Sequence, residues 1–145
     1  MINVCIQVAA FDSAALLAAL EVEGVGAIAS FTGLVRSDDG VTAIELEHYP
    51  AMTEASLRAV AEQAQSRWKL SGSVVVHRVG KMAVGEPIVF VAAASAHRAE
   101  ALAACAFLID RLKTDAPFWK REYRGEQVQW VEAKNSDDVR AANWD

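Results

Sequence analysis

Several cationic side chains lie where the predicted secondary-structure elements begin or end. Arg36 follows a predicted strand and precedes a turn, and His97 and Arg98 open a predicted helix. Lys113 closes that helix, and Lys120 follows it in an extended segment. Guanidinium and ammonium groups bind phosphate and carboxylate oxygens through charge-assisted hydrogen bonds. Each residue alone is better explained as a solvated surface charge or, in the case of Lys113, as a cation that complements a helix C-terminus. Only the longer sequence motifs of the chain favour a shared site for an anionic ligand.

The start of this helix and the segment after its end suggest different roles. Helix N-termini expose unpaired backbone N–H groups and a partial positive charge, so His97 and Arg98 are candidates for holding a phosphate or carboxylate. A lysine close to other cations releases its proton more readily, which makes Lys113 and Lys120 candidates for proton transfer or charge stabilisation. In an extended segment Lys120 and Glu122 lie on the same side, so Glu122 either orients Lys120 or forms an ordinary ion pair.

A mixture of strands and helices has to position these residues. Strands are predicted over 2–8, 27–35, 42–49, 73–79, 87–94, 118–123 and 127–131 from their apolar patterns. Helices are predicted over 14–22, after Thr53, over about 97–113 and, weakly, over 136–144. The stretch 27–49 is predicted to form a hairpin, because turn residues separate its two strands. This order of elements predicts an α+β domain with a largely antiparallel sheet.

The apolar residues indicate which faces form the core. Thr53 is predicted to cap an amphipathic helix whose apolar stripe has helical spacing. That stripe consists of Leu57, Val60, Ala61, Ala64 and Trp68. Phe118 and Trp119 are also expected in the core. Cys5 and Cys105 lie in apolar surroundings without a CxxC or zinc pattern, so both are predicted to be buried, unreactive thiols.

The overall composition limits the possible partners and compartments. The chain has 145 residues, 53% of them hydrophobic, which suits a single domain spanning residues 1–145. A formal charge of −5 argues against a general nucleic-acid or anionic-membrane surface, although it leaves room for a local cationic pocket. We find neither a signal-peptide pattern nor an apolar run of the roughly 20 residues that span a bilayer. A cytoplasmic protein is therefore expected.

A series of longer motifs gives these cationic residues a specific context. The segments are FTGLVR (31–36), LEHYPAMTE (46–54), HRVG (77–80), SAHR (95–98), LKTDAPFWKRE (112–122) and WVEAK (130–134). In this order they resemble the catalytic (large) subunit family of molybdopterin synthase, over about residues 25–144. The string APFWK after LKT, together with SAHR, makes the resemblance much more specific than any one short pattern.

The resemblance implies an α/β-hammerhead fold and a sulfurtransferase activity. The substrate would be cyclic pyranopterin monophosphate, and the donor a small ubiquitin-like subunit with a C-terminal Gly-Gly thiocarboxylate. Two sulfur transfers would form the dithiolene of molybdopterin without a bound cofactor or metal. Lys113 and Lys120 would be catalytic. The implied substrate-binding set is Leu34, Val35, Arg36, His97, Arg98, Lys113, Lys120, Arg121, Glu122 and Lys134.

Three features depart from the family pattern. Lys134 stands where arginine is common and would lose the bidentate geometry of a guanidinium. The turn after Arg36 is short, and Asp115 adds a negative charge near the expected channel for the donor's tail. The alternative function is a non-catalytic module that binds a ubiquitin-like tail or a phosphorylated ligand. An oligomeric scaffold is a third possibility, but it leaves the ordered motifs unexplained.

The length of the predicted helix adds an expectation about assembly. His97 and Lys113 are 16 residues apart, which corresponds to about 24 Å along a straight helix. One small substrate does not span that distance, so we expect the site to be shared between two copies of the chain. The resemblance likewise implies a central homodimer flanked by two small subunits. The competing hypothesis is a helix broken near Ala103-Ala104, which would fold both ends into one pocket.

Overall fold

The computed structural model describes residues 1–131 and 135–145, which form strands and helices in mixed order. The elements are β1 (Ile2–Gln7), α1 (Ser13–Ala18), β2 (Ala27–Leu34), β3 (Ala43–His48), α2 (Pro50–Arg67), β4 (Leu70–Arg78), β5 (Gly80–Ala83), β6 (Pro87–Ser95), α3 (Arg98–Asp115), β7 (Phe118–Arg124), β8 (Gln127–Val131) and α4 (Asn135–Ala142). The predicted α+β class is confirmed. The prediction omitted β5 because a four-residue strand between Gly80 and Gly85 looks like a loop in sequence.

The strands form two four-stranded sheets instead of the single predicted sheet. The first has the order β1-β4-β6-β2 and the second β5-β3-β7-β8. Between the described strands, only β1 and β4 pair in parallel, so the predicted antiparallel character is confirmed. This division positions the site, because α3 comes directly after β6 of the first sheet whereas β7 belongs to the second sheet.

The predicted hairpin over 27–49 is wrong, because its two strands belong to different sheets. β2 pairs with β6, and β3 pairs with β5 and β7. The backbone N–H of Val35 donates to Glu86 O, whereas that of Thr42 donates to Tyr123 O. The segment between these two bonds therefore carries the chain from one sheet to the other. Turn residues alone did not reveal that both strands had longer-range partners.

Both faces of the first sheet are buried, which explains the nearly continuous apolar runs of β4 and β6. Val75 and Val91 face the main core with the buried stripe of α2 and the inner side of α3. Val74, Val76 and Phe90 face a smaller cluster under α1. The second sheet contributes Ile44 and Leu46 to the main core, so the two sheets share one apolar interior.

The start of α2 differs from the prediction. The helix begins with Pro50 and has Tyr49 as its N-cap, so Thr53 is not the capping residue. Proline suits the first helical position because its missing N–H would be unpaired there. The buried Thr53 hydroxyl accepts a hydrogen bond from the Tyr49 backbone N–H (3.0 Å) and donates one to Pro117 O (2.8 Å). Thr53 thereby ties α2 to the connection between α3 and β7.

The helix α3 runs without a break from Arg98 to Asp115, so the hypothesis of a helix broken near Ala103-Ala104 is wrong. Its inner side packs against the first sheet and α2, and Asp110 anchors α4. The Asp110 carboxylate accepts hydrogen bonds from Arg140 Nε (3.0 Å) and Trp144 Nε1 (2.8 Å). In the part of the chain that the structure describes, no helix is long and apolar enough to cross a membrane.

Candidate active site

The topology separates the predicted site residues into two groups at opposite ends of α3. In the β2–β6 pair, Ala27 lies opposite Ser95 and Leu34 opposite Pro87. α3 starts just after Ser95 and packs back along both strands. Its C-terminal end, with Lys113, therefore lies toward the end of β2 from which Arg36 emerges. His97 and Arg98 lie at the other end, so a single chain does not bring all the predicted residues together.

Lys113 lies at one end of an open groove between β2 and α3. The groove walls are mostly apolar, and its charged residues are Asp110, Lys113 and Arg140. The apolar and small residues that line it are Ala29, Ser30, Phe31, Leu102, Cys105, Ala106 and Ile109. Burial raises the pKa of the Cys105 thiol to about 11, which keeps it protonated at neutral pH and supports the prediction of an unreactive thiol. The other cysteine, Cys5, is only partly buried, so the prediction that it is buried is wrong.

Lys120 projects from β7 toward the core side of the second sheet. Its neighbours in register are the buried Leu46 on β3 and Val131 on β8. Its Nζ lies 3.9 Å from Glu122 Oε2, and Glu122 Oε1 accepts a hydrogen bond from Arg124 Nη2 at 3.2 Å. The predicted placement of Lys120 and Glu122 on one side of the strand is confirmed. Glu122 is shared between two cations, so its orienting role remains a prediction.

The opposite side of β7 carries Trp119 and Arg121, and here the expectation of a buried Trp119 is wrong. Trp119 is 51% exposed and packs edge-on against Trp130, with ring centroids 5.8 Å apart. It alternates with Phe118, which packs against the core, and is therefore directed outward. Arg121 lies over the Trp130 ring at 4.5 Å and pairs with Glu47. The hydrogen bond to Glu47 raises the Arg121 pKa.

The remaining predicted residues occupy the ends of β2 and α3. Val35 is buried, whereas Leu34 is exposed, and the exposed Arg36 pairs with Asp38 at 2.9 Å. His97 is the N-cap of α3 but makes no side-chain capping hydrogen bond. Both His97 and Arg98 are exposed, so their side chains face solvent at the helix start. The predicted binding residue Lys134 lies outside the described residues.

The residue His77 was not predicted for this site, although the HRVG motif contains it. It is buried near the end of β4, and its ring stacks on Phe118 with the centroids 4.1 Å apart. Burial, together with the charges of Lys113 and His48, lowers its pKa to about 3, so the imidazole is neutral at physiological pH. The signal in the sequence was a single polar residue after the apolar run Val74-Val75-Val76. Within residues 1–131 and 135–145, no cluster of three His, Cys, Asp or Glu side chains could hold a metal.

Comparison with known proteins identifies the family of this chain. The family model described as "MoaE protein" matches residues 6–115. A molybdopterin synthase catalytic subunit of Cereibacter sphaeroides is 51% identical over 122 residues, covering 83% of this chain and 84% of that protein. The corresponding subunit of Mesorhizobium japonicum is 51% identical over 148 residues, covering 98% and 92%.

Comparison with solved structures leads to the same family. The structure of a molybdopterin biosynthesis MoaE protein from Burkholderia ambifaria superposes with a TM-score of 0.86 at 44% identity, covering 99% of this chain and 98% of that chain. The sequence match extends over more than half of the chain, and the structural match over nearly all of it. This chain belongs to the MoaE protein family, in which these relatives are named molybdopterin synthase catalytic subunits.

Proposed function

We propose that this chain is the catalytic, sulfur-transferring subunit of a cytoplasmic molybdopterin synthase and acts as one domain. It transfers sulfur from the thiocarboxylated C-terminus of a small ubiquitin-like subunit to cyclic pyranopterin monophosphate. The observation that carries the proposal is the placement of Lys113 and Lys120. They lie on α3 and β7, which are connected by only Ala116 and Pro117, and Thr53 holds that connection.

This arrangement suits a reaction between two anions. The substrate carries a phosphate and the donor a thiocarboxylate, so both need fixed cationic groups in one cleft. In the proposed mechanism the thiocarboxylate sulfur bonds to a pterin carbon and displaces an oxygen there, and water then cleaves the bond between that sulfur and the donor carbonyl carbon, which leaves an ordinary carboxylate. Lys113 and Lys120 stabilise the negative charge that develops on the oxygens in these steps and carry the protons. Arg36 contributes to phosphate binding from the end of β2. No cysteine of this chain takes part, because the sulfur arrives on the partner.

The exposed face of α3 supports the expectation of a shared site. Leu102 is 61% exposed, and together with Ala106, Ile109 and Lys113 it forms a stripe with helical spacing. A second copy is the occupant that fits. Each copy carries His97 and Arg98 at the start of α3 and Lys113 at its end, so a mate that runs in the opposite direction supplies at each end the cations that are missing there. An antiparallel pair of α3 helices would cover the apolar stripe and complete both sites.

The spacing of residues along α3 gives one register for this antiparallel pairing. If Cys105 of one copy faces Ala106 of its mate, Leu102 faces Ile109 and Arg98 faces Lys113 of the mate. Ala106 and Cys105 are small, so the two helices can approach closely at the centre of the contact. The pairing forms two equivalent sites, each with lysines from one copy and His97 and Arg98 from the other. A small subunit at each site gives a heterotetramer.

The requirement for a donor tests the function itself. The purified chain is expected to form no molybdopterin from the cyclic pterin alone. It should form molybdopterin when a thiocarboxylated small subunit is added, and the product is measured after oxidation to its fluorescent derivative. The same small subunit with an ordinary C-terminal carboxylate is the control. Turnover with free sulfide and no partner would contradict the mechanism, and binding of both ligands without turnover would instead favour a non-catalytic module.

Removal of the phosphate-binding cations is expected to weaken substrate binding. Arg36→Ala, His97→Ala and Arg98→Ala should each raise the dissociation constant of the pterin about tenfold, typical of losing one charge-assisted contact. Affinity for the small subunit should change less than twofold in each variant. Titration of the pterin, followed by titration of the partner, separates the two effects. Unchanged pterin affinity in all three variants would exclude this role.

A further inference from the structure

We propose that His77 is a positioning residue for Lys113 and Lys120. Its ring fixes the first residues of β7 and thereby the location of Lys120 relative to Lys113. The inference rests on the proposed function, since it assumes that both lysines act on the substrate. It assigns a role to a buried polar residue that the proposed mechanism does not use. A residue of similar size and no polarity would otherwise fill this position in an apolar strand.

One hydrogen bond determines the orientation and the tautomer of the His77 ring. Nδ1 lies 2.9 Å from the backbone carbonyl oxygen of Arg78. Because a carbonyl oxygen only accepts, Nδ1 carries the proton and donates it, which leaves Nε2 as the unprotonated nitrogen. The side chain faces the main core, on the same side of β4 as Val75. The imidazole is therefore held as a fixed, neutral plane.

That plane contacts the start of β7. The rings of His77 and Phe118 are inclined by only 26° and lie 4.1 Å apart. Phe118 is the first residue of β7, and it lies on the same side of the strand as Lys120. The residue before it, Pro117, is held by the Thr53 hydroxyl. The beginning of β7 is thus fixed by a ring stack from the first sheet and by a hydrogen bond from α2.

The charged groups around His77 explain why a neutral ring is needed here. Lys113 on α3 and His48 on β3 both act on it electrostatically, and each disfavours its protonation. His48 lies directly opposite Phe118 in the β3–β7 register. Arg78, the next residue of β4, binds Val8 O, Pro87 O and Glu86. A protonated imidazole at His77 would be repelled by Lys113, whereas the neutral imidazole supports β7 without that repulsion.

A double-mutant cycle distinguishes positioning from simple packing. His77→Ala in the complete complex with thiocarboxylated partner is expected to lower kcat about tenfold and to leave both KM values within about twofold. In a Lys120→Ala background the same substitution should lower kcat by less than about twofold, because the residue through which it acts is gone. His77→Phe, which keeps the stacking ring, should restore kcat to within about threefold of the original chain.

The controls keep a loss of folding apart from a loss of positioning. Rates are normalised to the fraction of chain that binds the partner, and thermal melts report folding. Phe90→Leu, in the cluster on the other face of the first sheet, provides a matched destabilising change whose effect on kcat should be the same in the original chain and in the Lys120→Ala background. If His77→Ala does not fold, His77→Asn, which keeps a donor for Arg78 O, enters the same cycle.

Two results would overturn the inference about His77. One is a tenfold loss that persists in the Lys120→Ala background, and the other is full activity of both His77→Ala and His77→Asn. If the original chain is active, either result contradicts only the positioning role of His77 and leaves the proposed function unaffected. Absence of molybdopterin formation by the original chain with thiocarboxylated partner would instead contradict the proposed function.

Discussion

Lys113→Ala and Lys120→Ala are each expected to lower kcat about a hundredfold, because losing one contact to a developing charge typically costs about 3 kcal/mol of transition-state stabilisation. The fold should persist in both variants. Lys113 is exposed in the last turn of α3, and the ion pair of Lys120 with Glu122 is long, at 3.9 Å. The measurement is molybdopterin formation per active complex at saturating small subunit and saturating pterin.

A surface lysine of the same chain provides the matched control for these variants. Lys69 is exposed beyond the end of α2, and its backbone carbonyl, which accepts from the Ser95 hydroxyl, survives the substitution. Lys69→Ala should therefore retain full activity and an unchanged melting temperature. Near-normal rates in both Lys113→Ala and Lys120→Ala would remove the two lysines from the catalytic mechanism, whereas a rate loss limited to one would assign the chemistry to that residue.

At a pterin concentration that saturates the original dimer but not the weakened parent, mixed dimers are expected to recover activity that neither parent has. One parent carries His97→Ala with Arg98→Ala, and the other carries Lys113→Ala with Lys120→Ala. In a mixed dimer, one site would combine the intact lysines of the first chain with the intact His97 and Arg98 of the second. The other site would lack all four side chains. Each mixed dimer should therefore reach about half the rate of the original dimer, because one of two sites is complete.

Differently tagged parents allow the mixed dimers to be purified through both tags in succession. Dimers that contain two differently tagged copies of the same double variant serve as the control and should stay inactive. If verified mixed dimers are no more active than these controls, the shared site is contradicted. Such a result would require another route by which one chain brings His97 to Lys113, and the unbroken helix over Arg98–Asp115 provides none.

Local patterns predicted most of the elements of this fold. The apolar alternation of β1 and the helical stripe of α2 depend on neighbours a few residues away, so the sequence carries them directly. The continuous α3 was predicted for the same reason, within two residues at each end. The side-chain alternation of β7 also placed Lys120 and Glu122 together. The error at Thr53 was local too, because Pro50 takes the first helical position and moves the N-cap to Tyr49.

The sequence by itself determined the family of this protein and the residue types of its candidate site, whereas the tertiary structure decided where those residues lie. The motifs around Arg36, His97 and Lys113 carry the family resemblance, because residue types and their order are properties of the chain. The division into two sheets, the outward Trp119 and the stack of His77 on Phe118 depend on pairings between residues far apart in sequence. Such contacts form only when the main core closes, since the burial that stabilises them is shared by both sheets and the helices.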